Sequence, residues 1–191
     1  MNATRNWDTA PAYTGEGERL PPGGYECRII GARIETDHNG EKLALQLEID
    51  AGEYKGFARR MYDRRANGGF SGTNKWPLIA TQFTLTREGD TNPYFKGLIT
   101  AIEASNPGYK WDWNEAGLRG KAIGYLFREE EFIGMQDGAV RTTVRPFQAR
   151  SVESVRAYTG VPPKKELQQK PGAPASTTAG FTPVADDELP F

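Results

Sequence analysis

The chain has 191 residues, room for one ordinary domain with flexible ends, and its 24 Lys+Arg against 25 Asp+Glu leave net charge selecting no partner. One cysteine (Cys27) and one histidine (His38) exclude an internal disulfide framework and a Cys/His zinc site, which needs four such ligands. No run approaches the ~20 apolar residues of a membrane helix, and the N-terminus has neither the basic start nor the apolar core of a secretory signal, so the expectation is a soluble cytoplasmic protein without a cofactor.

Residues 1–19 are polar apart from Trp7 and Tyr13 and read as a flexible arm, unless those two rings pin it to the domain. The domain, 20–161, opens on the turn-rich run from Leu20 to Gly24. From Tyr25 the apolar residues alternate (Tyr25, Cys27, Ile29), predicting a strand to about residue 36, and Gly31 inside it marks a bulge or bend. Asn39-Gly40 is a hairpin signal. Leu43, Leu45, Leu47 and Ile49 then alternate with Lys42, Ala44, Gln46 and Glu48 as a second strand. A third strand is expected over 56–62, followed by an irregular loop over 63–77; within 78–86 the alternation of Ile79, Thr81, Phe83 and Leu85 favours a further strand.

Asn92-Pro93 reads as a helix start, with Asn capping and Pro in the first turn. Phe95, Leu98, Ile99 and Ile102 form one apolar stripe, and the helix stops at Asn106-Pro107-Gly108. Tyr109, Trp111 and Trp113 alternate in a short linker that would cap the core beside the helix, with stacking on bases as the lesser alternative. Residues 121–127 form a strand, 129–138 a charged connection, and 139–152 a last strand. Residues 162–185 are a Lys/Gln-rich and then Pro/Ala/Ser/Thr-rich linker with too little apolar content to fold.

Five strands with a helix between the third and fourth is the order of the five-stranded Greek-key OB barrel, which binds oligonucleotides across one face and between its loops. Other small barrels and α+β sheets can be drawn through the same elements. The stretch 57–76 interleaves Arg59, Arg60, Arg64, Arg65 and Lys75 with Phe57, Tyr62, Phe70 and Trp76. Cations for phosphates and rings for splayed bases are what single-strand binding without sequence preference requires. The candidate nucleic-acid residues are Arg59, Arg60, Tyr62, Arg64, Arg65, Phe70, Lys75 and Trp76; the competing reading is a solvated basic face with Phe57 and Met61 in the core. Arg28 and Arg33 could extend the face. Consecutive Glu129, Glu130 and Glu131 point in alternating directions and do not converge on a metal ion. No nucleophile, P-loop or dinucleotide motif is present, so no enzyme is expected.

The ending Asp186-Asp187-Glu188-Leu189-Pro190-Phe191 resembles the acidic tail of bacterial and phage single-stranded-DNA-binding proteins, usually Asp-Asp-Asp-Ile-Pro-Phe, with Glu188 and Leu189 as conservative departures. Residues 95–108 and 121–131 are similar to phage and prophage DNA binders of the OB type. The resemblance implies binding and protection of single-stranded DNA in phage or prophage replication or recombination, in the bacterial host cytoplasm. It also implies that Phe191 enters an apolar, basic-rimmed pocket on replication, recombination or repair proteins, while Asp186, Asp187 and Glu188 meet surrounding cations. The long segment between the third strand and the helix departs from the bacterial pattern, so its tetrameric assembly and wrapping mode are not carried over. The competing expectations are an interaction adaptor without nucleic-acid affinity and an accessory factor of a recombination or nuclease system.

Overall fold

The computed structural model of the chain describes residues 5, 7–9, 18–67, 74–135 and 137–167. Tyr13, Phe70, residues 168–185 of the expected 162–185 linker and the expected tip at Asp186 to Phe191 lie outside the described residues. The fold is mainly β. Five antiparallel strands, β1 (Gly23–Asp37), β2 (Gly40–Ile49), β3 (Ile79–Phe83), β4 (Ala122–Ile133) and β5 (Val140–Arg150), form one sheet in the order β3-β2-β1-β4-β5. Three α-helices accompany them among the described residues: α1 (Phe57–Asn67), α2 (Pro93–Ser105) and α3 (Val152–Arg156), with a 3-10 turn at Glu115–Leu118. The outer strands β3 and β5 approach each other, with no ladder between them among the described residues. No helix among the described residues is long and apolar enough to cross a membrane.

The alternation of β2 has its expected consequence. Leu43, Leu45, Leu47 and Ile49 are fully buried, each contributing about 1.5–3 kcal/mol by leaving water. They meet Cys27 and Ile29 of β1, Ile123 and Phe127 of β4, and the α2 stripe of Phe95, Leu98, Ile99 and Ile102 in one core. The Asn92 side chain accepts from the Tyr94 N–H at 2.9 Å, capping α2 as its sequence predicts. A register shift between Ile29 and Gly31 places a bulge at the expected glycine.

Four expectations are corrected. The third strand over 56–62 is instead helix α1, and the loop over 63–77 is helical as far as residue 67. The local composition explains this: no Val, Ile or Thr occurs between residues 51 and 72, and Ala, Arg and Met are good helix formers. Phe57 and Ala58 are buried and Met61 half-buried, so the core-facing side recurs at helical spacing. The third strand of the sheet is β3, inside the 78–86 segment. Glu129, Glu130 and Glu131 belong to β4, which runs on to Ile133 paired with β5, in place of the expected connection. The last strand stops at Arg150, because Ser151 caps α3 by accepting from the Ser154 N–H at 3.1 Å.

Helix α3 lies directly on β4 at Gly124. A Cβ there would fall 2.8 Å from Val155 side-chain atoms and collide with the Ser151 carbonyl, so only glycine permits the approach. Arg156 ties α3 to β1 by donating to both carboxylate oxygens of Glu26, at 2.8 and 2.7 Å. That hydrogen-bonded guanidinium holds the Glu26 carboxyl below its ordinary range. At the other end of the domain, Lys165 bridges β4 in parallel. Its N–H donates to Glu129 O at 2.8 Å, and its carbonyl accepts from the Glu131 N–H at 2.9 Å.

Candidate nucleic-acid interface

Helix α1 carries Arg59, Arg60, Tyr62, Arg64 and Arg65, and its start is fixed by an unusual cap. Gly56, at φ +78°, turns the chain out of β2, a left-handed conformation that glycine adopts without cost. The Glu48 carboxylate, on the polar side of β2, then accepts from the N–H groups of Ala58 and Arg59, both at 2.8 Å, and from Ile49 at 3.0 Å. A carboxylate on the first-turn N–H groups satisfies otherwise orphaned donors and complements the helix dipole; Arg64 and Arg65 complement the dipole at the C-terminal end.

The candidate residues do not form one stripe. Arg59 lies on the side of Trp76, with its guanidinium carbon 5.4 Å from the indole centroid. Tyr62 stands 5.4 Å from the same ring, tilted by 36°. The indole is anchored by Nε1, which donates to Leu47 O at 2.7 Å, while Asn74 donates to Tyr62 O at 2.9 Å and returns the chain to α1. Arg59, Tyr62 and Trp76 therefore make a single cation–aromatic cluster, its two rings half-buried. Such a cation over an indole is worth about 0.5–1 kcal/mol at an exposed site.

Arg60 points elsewhere. Its guanidinium donates to both Glu18 oxygens at 3.0 and 2.5 Å and to Lys55 O at 2.5 Å, and the bonds to Glu18 hold that carboxyl below its usual range. Arg64, Arg65 and Lys75 are exposed and make no hydrogen bond or ion pair among the described residues. Arg65 also lines a groove of about 730 Å³ between residues 18–22, α1, residues 77–78 and the β4–β5 hairpin, alongside Leu20, Phe57, Met61 and Val144.

The solvent side of the sheet continues from this cluster. By register, Glu48 faces Arg28 on β1, Gln46 pairs with Ile79 on β3, Ala44 lies between Arg33 and Thr81, and Lys42 lies between Glu35 and Phe83. Lys42 sits 5.0 Å above the Phe83 ring, which is 37% exposed and so open to a ligand. Arg28 and Arg33 belong to this face, but each is ion-paired, to Asp50 and Glu35. Gly31, Ala44 and Gln46 line a shallow hollow of about 90 Å³ there.

Two contributors escape a reading of the sequence. Glu48 sits ten and eleven residues before the two N–H groups it caps, beyond the span of a local capping motif. Lys42 over Phe83 requires the β2–β3 register, although the alternation containing Phe83 is visible in the chain. Among the described residues no three His, Cys, Asp or Glu side chains gather as metal ligands would. Compared with known proteins, the chain matches no protein-family model and no curated sequence.

Proposed function

We propose that the chain binds single-stranded DNA with little sequence preference and without catalysis, as a phage-type binder acting in the bacterial cytoplasm. The carrying observation is the cluster of Arg59 over Trp76 with Tyr62 alongside, flanked by Arg64, Arg65 and Lys75, which are unpaired among the described residues. Phosphates would be held by Arg59, Arg64, Arg65 and Lys75, and bases would stack on Trp76 and Tyr62 at roughly 1–3 kcal/mol each. Arg60, occupied by Glu18, would position α1 and the segment at residue 18.

The fold reading behind this is an OB-type barrel. In support, the antiparallel order is β3-β2-β1-β4-β5, α2 lies between β3 and β4, and the outer strands approach each other. In that barrel the face of the second and third strands takes the ligand, which here is the face carrying Lys42, Phe83 and Gln46. Residues 20–167 would form the binding domain, because Lys165 is still bridged to β4 where 162–185 was expected to be linker; 168–185 would be the linker, and Asp186 to Phe191 a docking tip for replication, recombination or repair proteins. The groove beside α1, floored by Leu20, Phe57 and Met61, favours a second reading as a peptide-binding adaptor.

Titration of oligo-dT against tryptophan fluorescence at several salt concentrations separates the two. Single-strand binding gives an affinity falling with salt at a log–log slope of about −0.7 per neutralised phosphate. Arg59→Ala with Arg64→Ala should weaken binding to every sequence and flatten that slope by about 0.7 for each phosphate no longer neutralised. An absence of binding at low salt overturns the proposal and leaves the adaptor.

A further inference from the structure

Trp113 is the one non-glycine residue among the described residues with a left-handed backbone, at φ +65°. Its indole is 77% exposed, so core packing does not explain the conformation. A large side chain in this region is disfavoured by contact of Cβ with the backbone, and such positions persist where neighbouring bonds over-determine them. Here both neighbours do so. Asp112 accepts from the Asn114 N–H at 3.2 Å, and Asn114 caps the following 3-10 turn by accepting from Ala116 at 3.1 Å. On its inner side the ring meets Trp111, 6.2 Å away at 56°. Trp111 is packed on the core, and its backbone N–H donates to Glu103 at 2.9 Å. The fold holds a rigid indole out in water at an energetic cost that Gly or Asn would avoid.

The segment that carries this indole is tied through the sheet to the α1 cluster. Arg28 donates to Gly120 O at 3.3 Å and pairs across the sheet with Ala122 on one side and Glu48 on the other. Glu48 in turn caps α1 at Arg59. One transverse row thus runs from the 109–121 segment through β1 and β2 to α1, roughly 15 Å at the usual strand spacing. Two cations belong to the same 109–121 segment. Arg119 is exposed and without an ion pair or side-chain hydrogen bond among the described residues, and the Lys121 ammonium lies 4.4 Å from the Tyr109 ring.

We infer that Trp113 is a second stacking platform for an unpaired nucleobase, so that a single strand bound at α1 continues across the Arg28 row to the 109–121 segment. The inference rests on the nucleic-acid reading above and adds a site to it. Stacking carries no net charge, which gives it a signature distinct from phosphate contacts. Trp113→Gly removes the ring while suiting the left-handed backbone. It should weaken binding of an oligo-dT of about 16 nucleotides by about ten-fold, leave the salt slope unchanged, and leave Tm equal or higher. Trp113→Phe should retain most of the affinity. Wild-type protein that fails to bind oligo-dT at low salt overturns both this inference and the nucleic-acid reading. Wild-type binding with undiminished binding by Trp113→Gly overturns this inference alone. So does a wild-type dimer that Trp113→Gly dissociates in sedimentation, because the ring would then lie between two copies.

Discussion

Cys27 illustrates how position rather than residue type sets reactivity. Its side chain is 1% exposed between β2 and β4 residues of the core, and its Sγ lies 3.7 Å from Tyr25 O. Burial, reinforced by Glu48 and Asp50, pushes the thiol well above its ordinary value, so the thiolate that alkylating reagents require is scarce. Iodoacetamide should therefore leave Cys27 unmodified in the folded protein and alkylate it fully after denaturation, as mass spectrometry reads directly. Fast labelling under native conditions would mean that β1 opens locally. Burial also pushes the Tyr25 hydroxyl up to about 12, where it remains a donor to Pro21 O at 2.8 Å and ties the segment before β1 to its first residues.

Among the elements, α1 depends most on a distant residue. Glu48→Ala removes the acceptor for two first-turn N–H groups. Loss of a cap of this kind costs about 0.5–2 kcal/mol. Chemical denaturation of Glu48→Ala should show a loss in that range, and oligo-dT affinity should fall with it because Arg59 loses its fixed position over Trp76. Stability lost with affinity unchanged would separate the helix from the binding surface. This dependence is also why α1 is illegible in the sequence. Phe57, Ala58 and Met61 carry a helical pattern, but Phe57, Arg59 and Met61 also alternate tolerably with Ala58, Arg60 and Tyr62 as a strand, and the deciding cap comes from the preceding strand. By contrast β2 and α2 are legible, since Leu43, Leu45, Leu47 and Ile49 recur at every second position and Asn92 caps α2 locally. The residue types of Arg59, Tyr62 and Trp76 are visible in the chain. Their convergence is not, because it needs a helix, a returning chain at Asn74 and the Leu47 carbonyl together.

At the scale of the whole molecule, the bond pattern at Lys165 fixes where the chain leaves the sheet. Lys165 bridges β4 beside Glu129, which itself lines the groove next to α1. Lys164 reinforces the departure point with an ion pair to Glu131 at 2.8 Å. After Leu167 a further 24 residues lead to Phe191; on the linker proposed above, their r.m.s. reach would be on the order of 25–30 Å. An acidic Asp186-Asp187-Glu188 triplet tethered at that distance would compete with phosphate for Arg64, Arg65 and Lys75 at an effective concentration near the millimolar range. Deleting residues 186–191 should then leave oligo-dT affinity equal or higher, with the gain largest at low salt because exposed charges are screened as ionic strength rises. The same deletion should abolish capture of replication proteins, since the apolar Leu189-Pro190-Phe191 hook goes with the charges. Partner capture that survives the deletion would move the docking site onto the folded domain, with the groove at Leu20, Phe57 and Met61 as the surface to mutate next.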